Sequence, residues 1–499
     1  MIILLNPKSA VSGFRVPNSL LYLGAFLEGK YEYGIVDENL DKDIENTLIK
    51  LINEKNIKYL GVTVMPGPQM HRAVAISKRM RALFPKLKIL WGGYFPSLHR
   101  NTILKSDYVD VTFRGHAEIS FPEYLDCMEN KAGSKKLSEI KGISYKSEGN
   151  VIHNPDIESI DPDIVPLLPY HKVNTEKYLQ LGKTYLGKRT IAYISSIGCP
   201  FTCGFCAIAG IYKGRWKGRD PDLVADDLKY LHSNYKIDAV EFHDDNMFVS
   251  EKRIYSIAEK ITDLKLGWWG EARADTMMKF SDETFELMAR SGLKMVFYGA
   301  ESSSEETLKL MNKGGTQTPD TVLDLAERLK KYRIVPEFSF VLGSPSDNVD
   351  KSIDNDIEFI KKVKRINPEA EIIIYIYSPV NYEDSEMSLA SKMKGFEYPA
   401  TLEEWTSEKW KSFDLRKKTM TPWLKPYHIN KIRNFEKVLN AYYPTVSDLK
   451  IRGWRKNLLK TLGSWRYSSS FYNAPYEVRI AMKLLKYRQP ETEGFSFQE

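Results

Sequence analysis

The sequence predicts an α/β protein: an N-terminal doubly wound parallel sheet, then a partial (βα)6 barrel, then a helical C-terminal region. Two runs of short apolar segments alternating with amphipathic ones predict the parallel sheets, because strands covered on both faces read as continuous aliphatic runs. The second run holds six strand–helix units between Thr190 and Tyr377, the pattern of a parallel barrel with its active site at the carboxyl ends of the strands. Three of the four cysteines fall in one stretch, Gly198-Cys199-Pro200-Phe201-Thr202-Cys203-Gly204-Phe205-Cys206, directly after the first strand of that run.

In order, residues 2–5 form a buried strand stopped by Asn6-Pro7, and Pro17-Asn18-Ser19 opens a helix through Leu27. Strands are expected at 33–37, 59–64, 88–91 and 108–113, with helices at 44–55, 71–84 and 121–128. The loops on the carboxyl edge, 6–17, 65–68, 92–97 and 114–118, are rich in Gly and Pro, so backbone can approach a ligand closely there. Arg15, Pro66, Gly92, Gly93 and Gly115 are the candidates to meet a large flat ligand on that edge. Gly142–Tyr145 and Val151–His153 read as a small hairpin, and Asp161-Pro162 to Pro169 as an extended linker. Alternation then resumes with strands at 190–197, 238–242, 268–272, 294–298, 336–342 and 371–377, and helices at 222–231, 251–263, 282–290, 321–331 and 353–363. Boundaries are expected at 1–130 for the doubly wound unit, 131–189 for hairpin and linker, 190–385 for the barrel and 386–499 for the helical region.

A net charge of +7 over 499 residues is mild, leaving room for an anionic ligand without calling for nucleic acid. Cysteines confined to one cluster fit a reducing compartment, and no apolar run approaches the ~20 residues of a membrane helix, so a cytoplasmic protein is expected. The C-terminal region is basic and rich in tryptophan: Trp405, Trp410, Trp423, Trp454 and Trp465. Its apolar side is expected to pack on the barrel; contact with a membrane surface is the other reading.

Three chemistries compete for the cysteine loop. Structural zinc takes four ligands, usually as two separated pairs, and His243 stands a strand later without a partner at ligand spacing. A redox disulfide uses C-x-x-C and leaves Cys199 unexplained. An iron–sulfur cluster on three thiolates, one iron open to an outside ligand, uses all three, and the loop's position after a barrel's first strand favours it. Cys127, in the run Phe121–Met128, is expected to be an inert small apolar residue.

The C-x3-C-x2-C spacing, with Phe205 directly before the third cysteine, resembles the radical S-adenosylmethionine (SAM) superfamily. The resemblance continues at later strand ends. His243-Asp244-Asp245-Asn246 resembles the region that meets the SAM amino group, and Glu271-Ala272-Arg273-Ala274-Asp275 follows the third strand. Gly299-Ala300-Glu301-Ser302 is similar to the segment near the ribose and methionine moiety, and Leu342-Gly343-Ser344-Pro345 to the Gly-rich turn beside the adenine. Any one of these alone reads as a cap or turn; at successive strand ends they form a ligand rim. Pro17-Asn18-Ser19-Leu20 and Gly92-Gly93-Tyr94-Phe95-Pro96, ahead of hairpin, linker and barrel, look like the cobalamin-binding subclass, over roughly residues 1–390.

The resemblance implies a 4Fe–4S cluster on Cys199, Cys203 and Cys206. It implies SAM held near Phe205, Asp244, Asp245, Asn246, Arg273, Glu301, Ser302 and Gly343, and cobalamin over the N-terminal loops. One electron would cleave SAM to methionine and a deoxyadenosyl radical able to take hydrogen from an unactivated carbon. Cobalamin-dependent C-methylation is the leading outcome; a radical cyclase, dehydratase or isomerase is the alternative enzyme, and a non-catalytic redox sensor the competing class. Implied partners are a small-molecule or lipid-like substrate and an electron donor such as flavodoxin or ferredoxin. Two features depart from the subclass: there is no D-x-H-x-x-G stretch to ligate cobalt, and His116 stands where an acidic residue is usual.

Overall fold

The computed structural model describes residues 1–9, 14–313, 316–380, 385–410 and 420–487. Parts of the expected loop 6–17 and of the helical C-terminal region therefore lie outside the described residues. The first sheet contains β1 (Ile2–Asn6), β2 (Tyr33–Asp37), β3 (Tyr59–Thr63), β4 (Lys88–Gly92) and β5 (Val111–Phe113), all parallel, followed by β6 (Ile143–Ser147) and β7 (Asn150–His153), which are antiparallel. Its order, β2-β1-β3-β4-β5-β6-β7, reverses direction between β1 and β3, which opens a crevice at their carboxyl ends. The β1 sequence, Ile-Ile-Leu-Leu, serves both faces. Ile2 and Leu4 join a core with Leu20, Leu27, Phe121 and Leu125, while Ile3 and Leu5 join one with Leu48, Ala73, Ile76 and Met80.

The hairpin expected in the connecting segment is present as β6 and β7, and it also extends the first sheet, through β6 against β5. Strand β5 is shorter than 108–113 and starts at Val111; just before it Asp110 N donates to Ile89 O at 2.9 Å while its carboxylate accepts from Ile89 N at 2.8 Å and from Arg81.

The second sheet consists of β8 (Thr190–Tyr193), β11 (Ala239–Phe242), β12 (Gly267–Ala272), β13 (Leu293–Glu301), β14 (Val335–Leu342) and β15 (Glu371–Ile376). They run parallel in the order β8-β11-β12-β13-β14-β15, and β8 and β15 do not pair, so the barrel is an open arc. The long strand expected over 190–197 is broken: Ser195 turns to Asp244, and β9 (Ser196–Gly198) pairs antiparallel with β10 (Trp216–Gly218). Outer helices Pro221–Tyr235, Glu251–Ile261, Asp282–Arg290, Pro319–Tyr332 and Val349–Ile366 start where Asp220, Ser250, Ser281, Thr318 and Asn348 accept from first-turn backbone amides.

The C-terminal region does not pack on the barrel alone. Helix Pro426–Tyr442 buries Ile432, Phe435, Val438 and Leu439 against the barrel's outer layer. The stretch before it crosses to the first sheet, where Phe396, Leu402, Trp405 and Trp410 join the core of Trp91 and Phe95. Trp405 lies 5.3 Å edge-on to Phe95 and 5.1 Å from His99, whose imidazole burial pushes down to about 4.

Candidate active site

The cysteine loop leaves β9 through Gly198, whose φ of +78° and closeness to Arg215 leave no room for a side chain: a Cβ would stand 2.3 Å from the Arg215 carbonyl oxygen. Cys206 N donates to Cys203 O at 3.1 Å, closing a turn, and Gly204 N donates to Met311 O at 2.8 Å. Ser385 Oγ donates to Gly204 O at 2.9 Å and Asn312 Nδ2 to Thr202 O at 2.9 Å, so two later segments clamp the loop.

All three thiols are free, Cys203 buried and the others half-buried. Burial pushes the Cys206 thiol up to about 12, with Cys203, Asp245 and Cys199 adding to it, and burial together with Cys203 raises Cys199. A bound cation would favour their ionised forms. Donors already face the sulfurs: Arg273 Nη1 lies 3.4 Å from Cys203 Sγ, and Asn246 Nδ2 lies 3.9 Å from Cys199 Sγ. Among the described residues, no three His, Cys, Asp or Glu side chains are grouped as ligands of a single ion. A set of three thiols with sulfur-directed donors fits a cluster with one iron left open, whereas zinc asks for four ligands.

At the later strand ends several of the candidate groups are also engaged by internal partners. The buried Asp244 carboxylate accepts from Ser195 N and Ser195 Oγ, fixing the break after β8. Ser302 Oγ donates to Asp356 Oδ1 at 3.0 Å, beside Ser303 N at 2.7 Å; this hydroxyl likewise ties β13 to helix Val349–Ile366. Arg273 is held bidentate by Asp275, both contacts at 3.0 Å, and stacks on Phe201 at 3.9 Å, with Nη1 turned to the Cys203 sulfur.

Others stay at the rim. Buried Asn246 has an Oδ1 atom without a hydrogen-bond partner, beside Cys199. Asp245 accepts from Tyr94 Oη at 3.2 Å, and burial pushes its carboxyl up to about 6. Glu301 has a left-handed backbone, φ +66°, where the β13–β14 register slips, and its Oε1 accepts from Lys313 Nζ at 2.6 Å. Phe205 packs with Met311, Val341, Tyr377 and Met387. Gly343, φ +81°, is roofed by Leu424, and its carbonyl accepts from Trp423 Nε1 at 2.9 Å.

On the N-terminal side, Arg15 is engaged across the two sheets. Its guanidinium binds Glu241 on β11 with two hydrogen bonds, bridging the two sheets. Burial works to raise the Glu241 carboxyl, but Arg15 and His243 overcome it and hold it at about 2. Pro66 is exposed beside Gly67, φ +85°, where a Cβ would meet open space. Gly92 ends β4. Gly93, φ +103°, would put a Cβ 2.9 Å from Val64 O, and Gly115 N donates to Ser97 Oγ at 2.9 Å. Gly115 borders a cavity of about 490 Å³ with Asn101, Arg114, Lys213 and Lys392, between the first sheet and the helix Ala207–Tyr212 that follows the cysteines. A glycine-lined carboxyl edge with such a cavity leaves room for a ligand beside the helix that follows the cysteines. His116 is buried, with Nδ1 3.4 Å from Glu118 and its ring 5.3 Å from Tyr212.

Tyr94, Lys313 and Glu241 escape the sequence reading. Tyr94 sits inside the quoted Gly92–Pro96 segment, but its partner, Asp245, is 151 residues away. Lys313 carries only the weak signal of a lysine after a short helix.

A cluster-type cysteine loop at the carboxyl edge of an open parallel barrel, faced by a doubly wound ligand-binding sheet, defines a two-cofactor enzyme class. The comparisons give it a family. Residues 193–367 match the Radical SAM superfamily and residues 10–125 the B12 binding domain. The chain belongs to the radical SAM superfamily, in the group that carries an N-terminal B12-binding domain. It is 27% identical over 365 residues to an uncharacterized methyltransferase of Pyrococcus horikoshii, covering 71% of this chain and 75% of that one. It is 24% identical over 392 residues to an anaerobic magnesium-protoporphyrin IX monomethyl ester cyclase of Synechocystis, covering 75% and 74%. Among solved structures, the radical SAM methyltransferase TsrM from Kitasatospora setae, with cobalamin and a [4Fe-4S] cluster bound, superposes with TM-score 0.69 at 14% identity over 97% of this chain and 99% of that one, which shows a shared fold.

Proposed function

We propose that this protein is a cobalamin-dependent radical SAM methyltransferase acting on an unactivated carbon of a small or lipid-like substrate. One juxtaposition carries the reading: the cysteine loop and the carboxyl edge of the B12-binding sheet face each other, joined by Tyr94–Asp245 beside the loop and by Arg15–Glu241. When bound, the cluster supplies an electron to SAM and cobalamin supplies the methyl group, while the protein sets distance and excludes water. Cys199, Cys203 and Cys206 would hold the iron. Arg273 and Asn246 face two of the sulfurs as donors, which would tune the reduction potential.

Asn246 Oδ1 is placed to accept from the SAM amino group, and Glu301, fixed by Lys313, to orient the rest of the ligand. Asp245, Phe205 and Gly343 complete that wall; Pro66, Gly92, Gly93 and Gly115 line the cobalamin side. Trp423 and Leu424 roof the strand ends and keep water out. An external one-electron donor of flavodoxin or ferredoxin type completes the reaction.

Similarity to the cyclase favours a second reading, radical cyclisation without methyl transfer. Incubating the anaerobically reconstituted protein with methyl-labelled SAM separates the two. Label on protein-bound cobalamin supports methyl transfer. Release of 5′-deoxyadenosine with cobalamin unlabelled or not retained supports the cyclase, and neither label nor 5′-deoxyadenosine refutes both.

A further inference from the structure

We propose that helices Trp454–Ser468 and Tyr476–Leu484 form a docking surface for an anionic lipid bilayer. Residues 450–487 hold nine Lys and Arg against one acid, Glu477, so the +7 of the whole chain is concentrated here and the remainder is close to neutral. Arg466 is bidentate with Glu477 and buried, which neutralises that one acid internally. The other eight basic residues stand without a compensating charge in the segment.

The apolar residues are ordered as well. Helix Trp454–Ser468 packs inward through Leu459, Gly463 and Tyr467, while Trp454, Leu458 and Trp465 share the opposite stripe at helical spacing. Trp454 is 65% and Trp465 52% exposed. Phe471 stacks on Trp465 with centroids 5.9 Å apart and is itself exposed. Helix Tyr476–Leu484 repeats the design: Val478 and Ala481 are buried, whereas Tyr476, Ile480 and Leu484, the last 76% exposed, form an outward row flanked by Lys483 and Lys486.

Two adjacent helices with outward aromatic and aliphatic rows, rimmed by exposed cations, match the interface of an anionic membrane. Indole rings settle at headgroup level there and lysines meet the lipid charge. Among the described residues no helix is long and apolar enough to cross a membrane, so the contact is peripheral. The surface lies on helices outside the cluster loop and the ligand rim, and the proposal does not depend on the reaction.

The test is flotation of the full chain with phosphatidylcholine vesicles, with and without about 30% phosphatidylglycerol. Expected is flotation with the anionic vesicles only, lost at about 0.5 M salt. Lys483→Gln and Lys486→Gln should each lower the partition coefficient about fivefold, and Trp454→Ser about tenfold. Circular dichroism and 5′-deoxyadenosine formation should stay unchanged in all three. Equal flotation with neutral vesicles, no flotation of folded protein, or RNA retention in place of vesicle binding overturns the proposal. So does a doubled solution mass abolished by Trp454→Ser, which would give the face to a second copy of the chain.

Discussion

Replacing Lys313 by Met tests how the SAM-side wall is held. Glu301 closes β13 at φ +66°, a backbone conformation that costs a non-glycine residue about 1–2 kcal/mol. It persists because Lys313 Nζ donates to Glu301 Oε1 at 2.6 Å and to Gly299 O at 2.7 Å. The two side chains are only 4% and 5% exposed, so water cannot take the place of a lost partner. Removing one member of such a pair is expected to destabilise the barrel by about 3–5 kcal/mol, whereas Lys313→Met with Glu301→Gln should recover part of that loss. Urea denaturation of wild type, both single variants and the double variant gives the coupling directly, expected at about 2 kcal/mol or more. SAM affinity, measured calorimetrically, should fall with Lys313→Met. A loss under about 1 kcal/mol with additive single variants and unchanged SAM affinity would refute the claim that this pair fixes Glu301.

The junction of the two sheets should respond to acid in a defined direction. Glu241 is held at about 2 against a free value of 4.5, so its contribution is full above 4.5 and is lost as pH falls towards 2. Wild type should exceed Glu241→Gln by on the order of 3 kcal/mol at pH 7, with the gap shrinking below about pH 4.5; a gap that widens there in denaturation curves contradicts the assignment. Gly198→Ala, with its Cβ 2.3 Å from Arg215 O at φ +78°, should break the β9–β10 ribbon and cut iron content after reconstitution by more than half; a full iron complement would show that the loop tolerates the change. Cys127→Ala should keep both iron and SAM cleavage, because Cys127 packs beside the first-sheet core on helix Ala117–Met128, away from the loop.

The strands were legible because both faces of each parallel sheet are covered, which leaves aliphatic runs such as Ile2–Leu5 and Ile372–Ile374 with little alternation to misread. The cysteine loop was legible because its spacing is local. Long-range pairing left no local trace. Arg15 meets Glu241 across 226 residues, and an arginine in a Gly-rich loop looks the same whether it faces a ligand or another domain. Asp244 and Ser302 show the same limit: a polar residue at a strand end is equally suited to a ligand and to a neighbouring backbone amide, and here both turned inward. The stretch around Trp405 could not be placed from its sequence because an apolar helical face does not name its partner, which proved to be the first sheet.

The central claim is that SAM is cleaved at a cluster held by Cys199, Cys203 and Cys206. The most direct test is 5′-deoxyadenosine release from reduced, iron-loaded protein, wild type beside Cys203→Ala, with visible absorption recorded on both. Wild type should show cluster absorption and release deoxyadenosine, and the variant neither. Absorption and SAM cleavage that survive in Cys203→Ala, or iron-loaded wild type that releases no deoxyadenosine, would contradict it.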